Sequence, residues 1–243
     1  MLTYKLLTDK GERDNNEDCV GMLEKDGEYC FVLADGLGGH GFGEKASEVA
    51  VKNVLEYFYE YGLDGEHMGQ AILKAQREIL FLQCRKPEYK DMKTTIVVLH
   101  IKGNMARWAH VGDSRLYYFK KNKLIERTLD HSVPQNLVAS REIKEKDIRH
   151  HADRNRLLRV LGTVWESPKY EISKEVELKQ DVPYAFLLCS DGFWELIDEK
   201  KMVKYLKCKS DCQMWIEEME KTVKEQGFGT GMDNYSAIGV FID

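Results

Sequence analysis

The chain has 243 residues, 43% of them hydrophobic, so it is long enough to bury a sizeable core. Its formal net charge of -5 argues against a general nucleic-acid binder, which usually carries a basic excess. It contains no apolar run near the roughly 18 residues of a membrane span, and its start lacks the long apolar stretch of a signal peptide. We therefore expect a cytoplasmic globular protein that binds neither nucleic acid nor membrane.

Strand-like apolar runs lie toward both ends of the chain, with amphipathic helix patterns between them. Strands are predicted over residues 3–7, 19–23, 29–34, 94–101, 106–119, 185–189 and 237–242, with a hairpin turn at Gly103-Asn104. Apolar residues at steps of three and four predict helices over 46–61, 68–82 and 211–226. Because these elements do not alternate as βαβ units, the pattern favours an α+β fold with two sheets packed between helix layers. No linker-like segment interrupts them, so one domain over residues 1–243 is predicted.

Acidic clusters stand beside several of the apolar runs. They are Asn16-Glu17-Asp18, Ala34-Asp35-Gly36, Ser190-Asp191-Gly192 and Asp233-Asn234. A chain that ends buried strands in aspartates concentrates negative charge, and that charge repels itself unless cations compensate. Carboxylate and carbonyl oxygens suit Mg²⁺ or Mn²⁺ better than zinc. The clusters therefore predict one metal site.

The glycines after Asp35 allow two interpretations. Gly36, Gly38 and Gly41 form a GxGxxG pattern after a strand, which is typical of dinucleotide binding. Against this, Asp35 would place a carboxylate where a pyrophosphate must lie, and no strand follows within the length of a βαβ unit. In the competing interpretation Asp35 is the functional residue and the glycines serve its geometry.

Seven motifs in order along the chain resemble those of the metal-dependent protein serine/threonine phosphatases, the PPM or type 2C family, in a compact bacterial-like form. They are Arg13 to Asp18, Asp35 to His40, Ala109 to Tyr117, Thr128 to Ser132, Asn155 to Gly162, Ser190 to Gly192 and Asp233 to Ser236. The resemblance implies a four-layer αββα β-sandwich with helix pairs outside, and a flap over about 134–168. It also implies hydrolysis of phosphoserine and phosphothreonine in proteins by a water or hydroxide activated at a binuclear Mn²⁺ or Mg²⁺ centre.

The same resemblance assigns the metal ligands. Asp35 would bridge two ions, with Asp191 and Asp233 completing one site and the Gly36 carbonyl, assisted by Glu17 or Asp18, the other. Two bridged divalent ions supply both the nucleophile and charge neutralisation for such a reaction. Asp35 and Asp191 are therefore also candidate catalytic residues.

Three further residues have expected roles. Arg13 is expected to bind the substrate phosphate, because a guanidinium offers paired donors to two phosphate oxygens. Asp113 is expected to join Asp191 at a third, weaker metal site, with a plain turn aspartate as the alternative. His40 is a candidate general acid, with a structural or orienting role as the alternative.

The flap region carries a local basic excess. Residues 141–159 hold seven basic and four acidic side chains, which favours contact with phosphorylated protein segments, although a solvated surface is the alternative. No glycine lies near Ser140 to Ile143, where the family resemblance expects one. The expected enzyme is a monomer that acts on phosphoproteins and reverses a cytoplasmic serine/threonine kinase. A pseudo-enzyme that only binds phosphoproteins is the alternative of a different class.

Overall fold

The computed structural model describes residues 1–37, 42–208 and 211–242. The part of the glycine pattern after Leu37, which includes Gly38, Gly41 and the candidate acid His40, therefore lies outside the described residues.

Strands and helices follow one another in an order that does not alternate. The strands are β1 Leu2–Asp9, β2 Asp18–Lys25, β3 Glu28–Leu37, β4 Lys93–Thr94, β5 Ile96–Lys102, β6 Met105–Val111, β7 Arg115–Lys120, β8 Lys123–Arg127, β9 Glu171–Ile172, β10 Val176–Glu177, β11 Tyr184–Cys189 and β12 Tyr235–Ile242. The α-helices are α1 Phe42–Tyr61, α2 His67–Arg85, α3 Val133–Ala139, α4 Asp191–Trp194, α5 Glu199–Cys208 and α6 Cys212–Gly227. Short 3₁₀ helices cover Pro87–Tyr89 and Glu145–His150.

The strands form two antiparallel sheets. One runs in the order β1-β12-β11-β7-β8, and the other in the order β10-β6-β5-β3-β2, with β4 paired to β3 and β9 paired to β6. The first and last strands of the chain pair with each other, so residues far apart in sequence meet along β12.

Side chains alternate between two apolar environments along the central strands. In β3, Phe31 and Leu33 pack between the two sheets, while Cys30, Val32 and Ala34 pack against α1 and α2. The other sheet repeats this arrangement, with one face toward the first sheet and the other against α5 and α6. Strands that are apolar on both faces read as continuous apolar runs, because neither face meets water. The predicted α+β fold with an αββα layer order is confirmed.

Two predicted strands are interrupted. The run 106–119 is one strand by its apolar pattern, but it divides into β6 and β7, which lie in different sheets. The turn between them contains Gly112 at φ +106°, a conformation that side chains rarely adopt. The run 94–101 breaks at Thr95 between β4 and β5. Both breaks lie next to acidic residues of the site described below.

Helices long and apolar enough to cross a membrane do not occur within residues 1–37, 42–208 and 211–242.

Candidate metal centre

Strand pairing brings the predicted acidic residues to one end of the sandwich. In the β2–β3 pair Asp18 lies directly opposite Asp35. Asp191 follows β11 and Asp233 precedes β12, and these two strands are neighbours in the other sheet. A hydrogen bond from Ser190 Oγ to Asp18 Oδ2 at 2.8 Å joins the two sheets. The carboxylates of both sheets therefore converge where their strands end.

These side chains influence one another's charge. The pKa of Asp18 is raised to about 7, mainly by burial and also by the charges of Asp191 and Asp233, while hydrogen bonds from Ser236 and Ser190 act in the opposite direction. The pKa of Asp35 is raised well above its usual range by burial, then by Asp191, Asp18, Asp113 and Asp233. Burial followed by the charge of Asp233 raises the pKa of Asp191. These carboxylates repel one another in the absence of cations.

The backbone around Asp35 is held by two threonines at the β4–β5 break. The Asp35 N–H donates to Thr95 Oγ1 at 3.0 Å, and the Asp35 carbonyl accepts from the Thr95 N–H at 2.9 Å and from Thr94 Oγ1 at 2.8 Å. Thr95 Oγ1 also lies 2.6 Å from Ser114 Oγ, beside Asp113. This arrangement fixes the peptide of Asp35 without using its carboxylate, which stays available as a ligand.

Both Asp-Gly pairs need glycine because another backbone passes within contact distance. A Cβ on Gly36 would lie 2.2 Å from the Gly43 carbonyl oxygen and 2.6 Å from that of Glu17. A Cβ on Gly192 would lie 2.1 Å from the Asn234 carbonyl oxygen. Neither glycine has a positive φ, so close approach of the backbone, rather than a special turn, explains both positions.

Asn234 ties the loop before β2 to the start of β12. Its side-chain oxygen accepts from the Glu17 N–H at 2.8 Å, and its amide donates to the carbonyls of Lys10 and Asn15 at 2.9 and 2.8 Å. The Glu17 carbonyl accepts from the Gly36 N–H at 3.1 Å, and the Glu17 carboxylate lies against Gly43 at the start of α1. Asp18 therefore stands among the charges of the cluster, while Glu17 borders it on the α1 side.

Arg13 reaches the cluster from the same loop. Its Nη2 lies 2.9 Å from Asp233 Oδ2, and the two side chains remain 55% and 44% exposed. An exposed ion pair of this kind contributes little to stability. The pair instead places the Arg13 guanidinium beside the carboxylates, where it can bind an anionic group.

Asp113 occupies the turn between β6 and β7 and is buried. Its pKa is raised well above the usual range by burial and then by the charge of Asp191, which places the two carboxylates near each other. The Trp194 indole nitrogen donates to the Asp113 carbonyl at 3.0 Å. On the other side of the turn, the His131 N–H donates to the Gly112 carbonyl and His131 Nδ1 accepts from the Gly112 N–H.

His131 also belongs to a second group of possible metal ligands, with His110 and Glu171. Because His131 Nδ1 accepts a hydrogen bond, the neutral ring carries its proton on Nε2, which lies 3.1 Å from Glu171 Oε1 and cannot also bind a cation. The His110 ring stacks on His131 at 4.5 Å, and Arg159 Nη1 lies 3.0 Å from Glu171 Oε1. This group holds the turn in place through the two hydrogen bonds of His131 to Gly112.

Ion pairs attach the basic segment 141–159 to the helices after Asp191. Arg149 pairs with Glu199 of α5, and Arg154 Nε lies 3.0 Å from Glu195 Oε1. The local excess of positive charge is therefore partly neutralised within the molecule. Arg141 lies at φ +65°, in the left-handed region, within the stretch 140–143 near which the family resemblance expects a glycine.

The donor set fits a hard divalent cation. It consists of carboxylates that are buried and repel one another. Without a cation, their charged forms are therefore unfavourable. Oxygen donors of this kind suit Mn²⁺ and Mg²⁺, and neither cysteine nor histidine is among the described side chains of the cluster. The same negative charge beside Gly36 would repel a pyrophosphate, which argues against dinucleotide binding.

Four supporting residues were given no role from the sequence. Ser190, Thr95, Asn234 and Trp194 hold the site through hydrogen bonds to partners between 60 and 224 residues away. The only sequence signal for them is their position next to an acidic motif or, for Thr95, inside an apolar run. Such a signal does not name a hydrogen-bond partner.

An antiparallel αββα sandwich with a carboxylate cluster where both sheets end defines the class of metal-dependent phosphatases with the PPM fold. The sequence profile of the family described as Protein phosphatase 2C matches residues 10–233. The chain is 34% identical over 214 residues to the serine/threonine phosphatase stp of Listeria monocytogenes, a match that spans 83% of this chain and 82% of that protein. It is 30% identical over 167 residues to the protein phosphatase PhpP of Streptococcus pneumoniae, which spans 66% of this chain and 68% of that protein.

Solved structures give the same result. The serine/threonine phosphatase Stp1 from Staphylococcus aureus has a TM-score of 0.87 at 26% identity and covers 100% of this chain and 96% of its own. The phosphatase PstP/Ppp of Mycobacterium tuberculosis has a TM-score of 0.86 at 25% identity, with 100% and 99% covered. The chain therefore belongs to the protein phosphatase 2C family, and the predicted family is confirmed.

Proposed function

We propose that this chain hydrolyses phosphoserine and phosphothreonine in proteins, with two Mn²⁺ or Mg²⁺ ions held by its carboxylate cluster. The observation that carries the proposal is the convergence of Asp18, Asp35, Asp191 and Asp233 from both sheets at one end of the sandwich. Family membership and relatives named as serine/threonine phosphatases support the same reaction. The prediction of a protein serine/threonine phosphatase is confirmed at the level of enzyme class.

Within this proposal each ligand has a role. Asp35 would serve both ions, because its carboxylate lies among the charges of Asp191, Asp18, Asp113 and Asp233. Asp191 and Asp233 would complete one site. The Gly36 carbonyl would complete the other, with Asp18 favoured over Glu17 because Asp18 is influenced by the charges of Asp191 and Asp233. Bound there, two divalent ions would activate a water and neutralise charge on the transferred phosphoryl group.

The chain's own residues orient the substrate and hold the ligands in place. Arg13, freed from Asp233, donates to phosphate oxygens and sets the direction of approach. Thr95 and Thr94 fix the Asp35 peptide, so the carboxylate does not have to be ordered when the substrate binds. Ser190 holds one Asp18 oxygen.

The remaining proposals concern the surroundings of the site. A flap over about 134–168, within a single domain over 1–243, would receive phosphorylated protein segments through the exposed bases Arg141, Lys144 and Lys146. Asp113 and Asp191 would hold a third, weaker ion. The enzyme would act as a cytoplasmic monomer and reverse a serine/threonine kinase.

Hydrolysis of a phosphothreonine peptide tests this function. Activity should require Mn²⁺, stop with EDTA and fall at least about a hundredfold in Asp191→Asn, because that change removes a ligand. Asp26→Asn is the matched control: Asp26 is exposed in the β2–β3 turn at φ 54°, which asparagine tolerates, and its activity should equal that of the wild type. Activity that survives EDTA and Asp191→Asn would refute the metal mechanism, and peptide binding without turnover would identify the pseudo-enzyme.

A further inference from the structure

Trp194 connects two acidic residues of the site that belong to different parts of the chain. It is the last residue of α4, the four-residue helix whose first residue is Asp191. Its indole nitrogen donates to the Asp113 carbonyl at 3.0 Å across 81 residues of sequence. One side chain therefore ties the helix that carries Asp191 to the turn that carries Asp113.

The indole itself is held rigidly. Trp194 is 2% exposed, and the Arg115 guanidinium carbon lies 3.4 Å from the centroid of its ring. Arg115 in turn donates to both oxygens of Asp130, at 2.8 and 2.6 Å, in a buried pair. A bidentate arginine pair fixes the plane of the guanidinium, so the ring stacked on it has little freedom to turn.

The turn on the other side of this bond is also restrained. His131 holds the Gly112 peptide through two hydrogen bonds, and the Ser114 hydroxyl lies 2.6 Å from that of Thr95. Asp113, between them, is held through its backbone carbonyl. Among the described residues, Trp194 therefore links the Asp113 turn to α4, because the other hydrogen bonds of the turn lead to His131 and Thr95, which lie outside α4.

We propose that Trp194 is a positioning residue that fixes the separation of the Asp113 and Asp191 carboxylates and thereby sets the affinity of a weaker divalent ion between them. The inference rests on the proposed function, because it needs the carboxylates to be metal ligands. A hydrogen bond to a ligand residue orients that ligand without touching the ion, and its loss weakens metal binding about tenfold or more. Tight binding by Asp35 and Asp233 does not depend on this bond.

The test is calorimetric titration with Mn²⁺ of the wild type, Trp194→Phe and Trp215→Phe. Trp215 is the matched control, because it is also buried and its indole nitrogen donates to a backbone carbonyl, that of Met202 in α5, at 3.1 Å. Asp113→Asn assigns the weaker phase, which it should remove. We expect the dissociation constant of that phase to rise about tenfold in Trp194→Phe and to stay unchanged in Trp215→Phe, while both variants lose a similar amount of thermal stability.

A second measurement covers the case in which Trp194→Phe does not fold. In ¹⁵N-labelled wild type the indole N–H signal of Trp194, assigned by elimination with the other tryptophan variants, should shift with Mg²⁺ over the weaker phase, while that of Trp215 should not. Equal weak-phase affinity in the two phenylalanine variants, the absence of a weaker phase, or an unchanged Trp194 signal would overturn the inference. A wild type that binds no Mn²⁺ and hydrolyses no phosphopeptide would instead overturn the proposed function.

Discussion

Replacing Asp35 by asparagine should stabilise the protein when metal is absent and destabilise it, relative to the wild type, when metal is bound. Asp35 lies among the charges of Asp18, Asp113, Asp191 and Asp233, which with burial raise its pKa well above the usual range. One unit of such a shift corresponds to about 1.4 kcal/mol against the charged form. Without metal, Asp35→Asn removes this cost, and we expect it to stabilise the fold.

With metal the order should invert. A ligand present at 100 times its dissociation constant stabilises the folded state by about 2.7 kcal/mol, and the wild type should gain at least this from Mn²⁺. Asp35→Asn should lose most of that gain, because it removes the proposed bridging carboxylate. For a chain of this size 1 kcal/mol moves the melting temperature by about 2 to 4 °C, so each difference is large enough to measure.

Differential scanning calorimetry in EDTA and in saturating Mn²⁺ is the assay, with Asp26→Asn as the control for a surface aspartate. The control should follow the wild type in both conditions. Asp35→Asn should melt above the wild type in EDTA and below it in Mn²⁺. If the variant melts below the wild type in EDTA, or gains as much stability from Mn²⁺ as the wild type does, charge repulsion at Asp35 does not limit the stability of the metal-free protein.

Three further predictions concern residues around the cluster. Arg13→Ala should raise KM for a phosphopeptide about tenfold, with Mn²⁺ affinity by calorimetry nearly unchanged, whereas a large loss of metal binding would show that its contact with Asp233 is needed. Arg141→Gly should stabilise the protein to urea by about 1 kcal/mol, because Arg141 lies at φ +65°, and an unchanged midpoint would contradict strain there. Burial, and then the charge of His110, lower the pKa of His131 to about 4. The folded state therefore binds this proton less readily than the unfolded state, so the free energy of unfolding should fall by up to about 3 kcal/mol as the pH drops from 6.5 toward 4. His131→Gln should abolish that part of the slope in thermal melts, and an equal slope in both proteins would refute it.

The layer structure was predictable because the central strands are apolar on both faces. Residues 29–34 and 185–189 read as continuous apolar runs, and the structure places alternate side chains toward the second sheet and toward helices. The convergence of the acidic clusters was predictable from the same feature, since each follows or precedes such a run. Antiparallel pairing then brings their ends together.

The break at Gly112 could not be predicted from hydrophobicity. Both sides of the turn are apolar, and the sequence gives no measure of the φ of Gly112 or of the bonds from His131 and Trp194 that hold the bend. Helix α5 was missed because lysines dominate its sequence and only Met202 and Leu206 are buried. Partners such as Arg13 and Asp233, 220 residues apart, become visible only in three dimensions.

The most direct test of the account is electron paramagnetic resonance of the protein loaded with Mn²⁺. If Asp35 bridges two ions, the wild type should give the broad spectrum of a spin-coupled Mn²⁺ pair, and Asp35→Asn should give only the six-line signal of isolated ions. An isolated six-line signal from the wild type at two bound ions, or a coupled spectrum from Asp35→Asn, would contradict the binuclear centre.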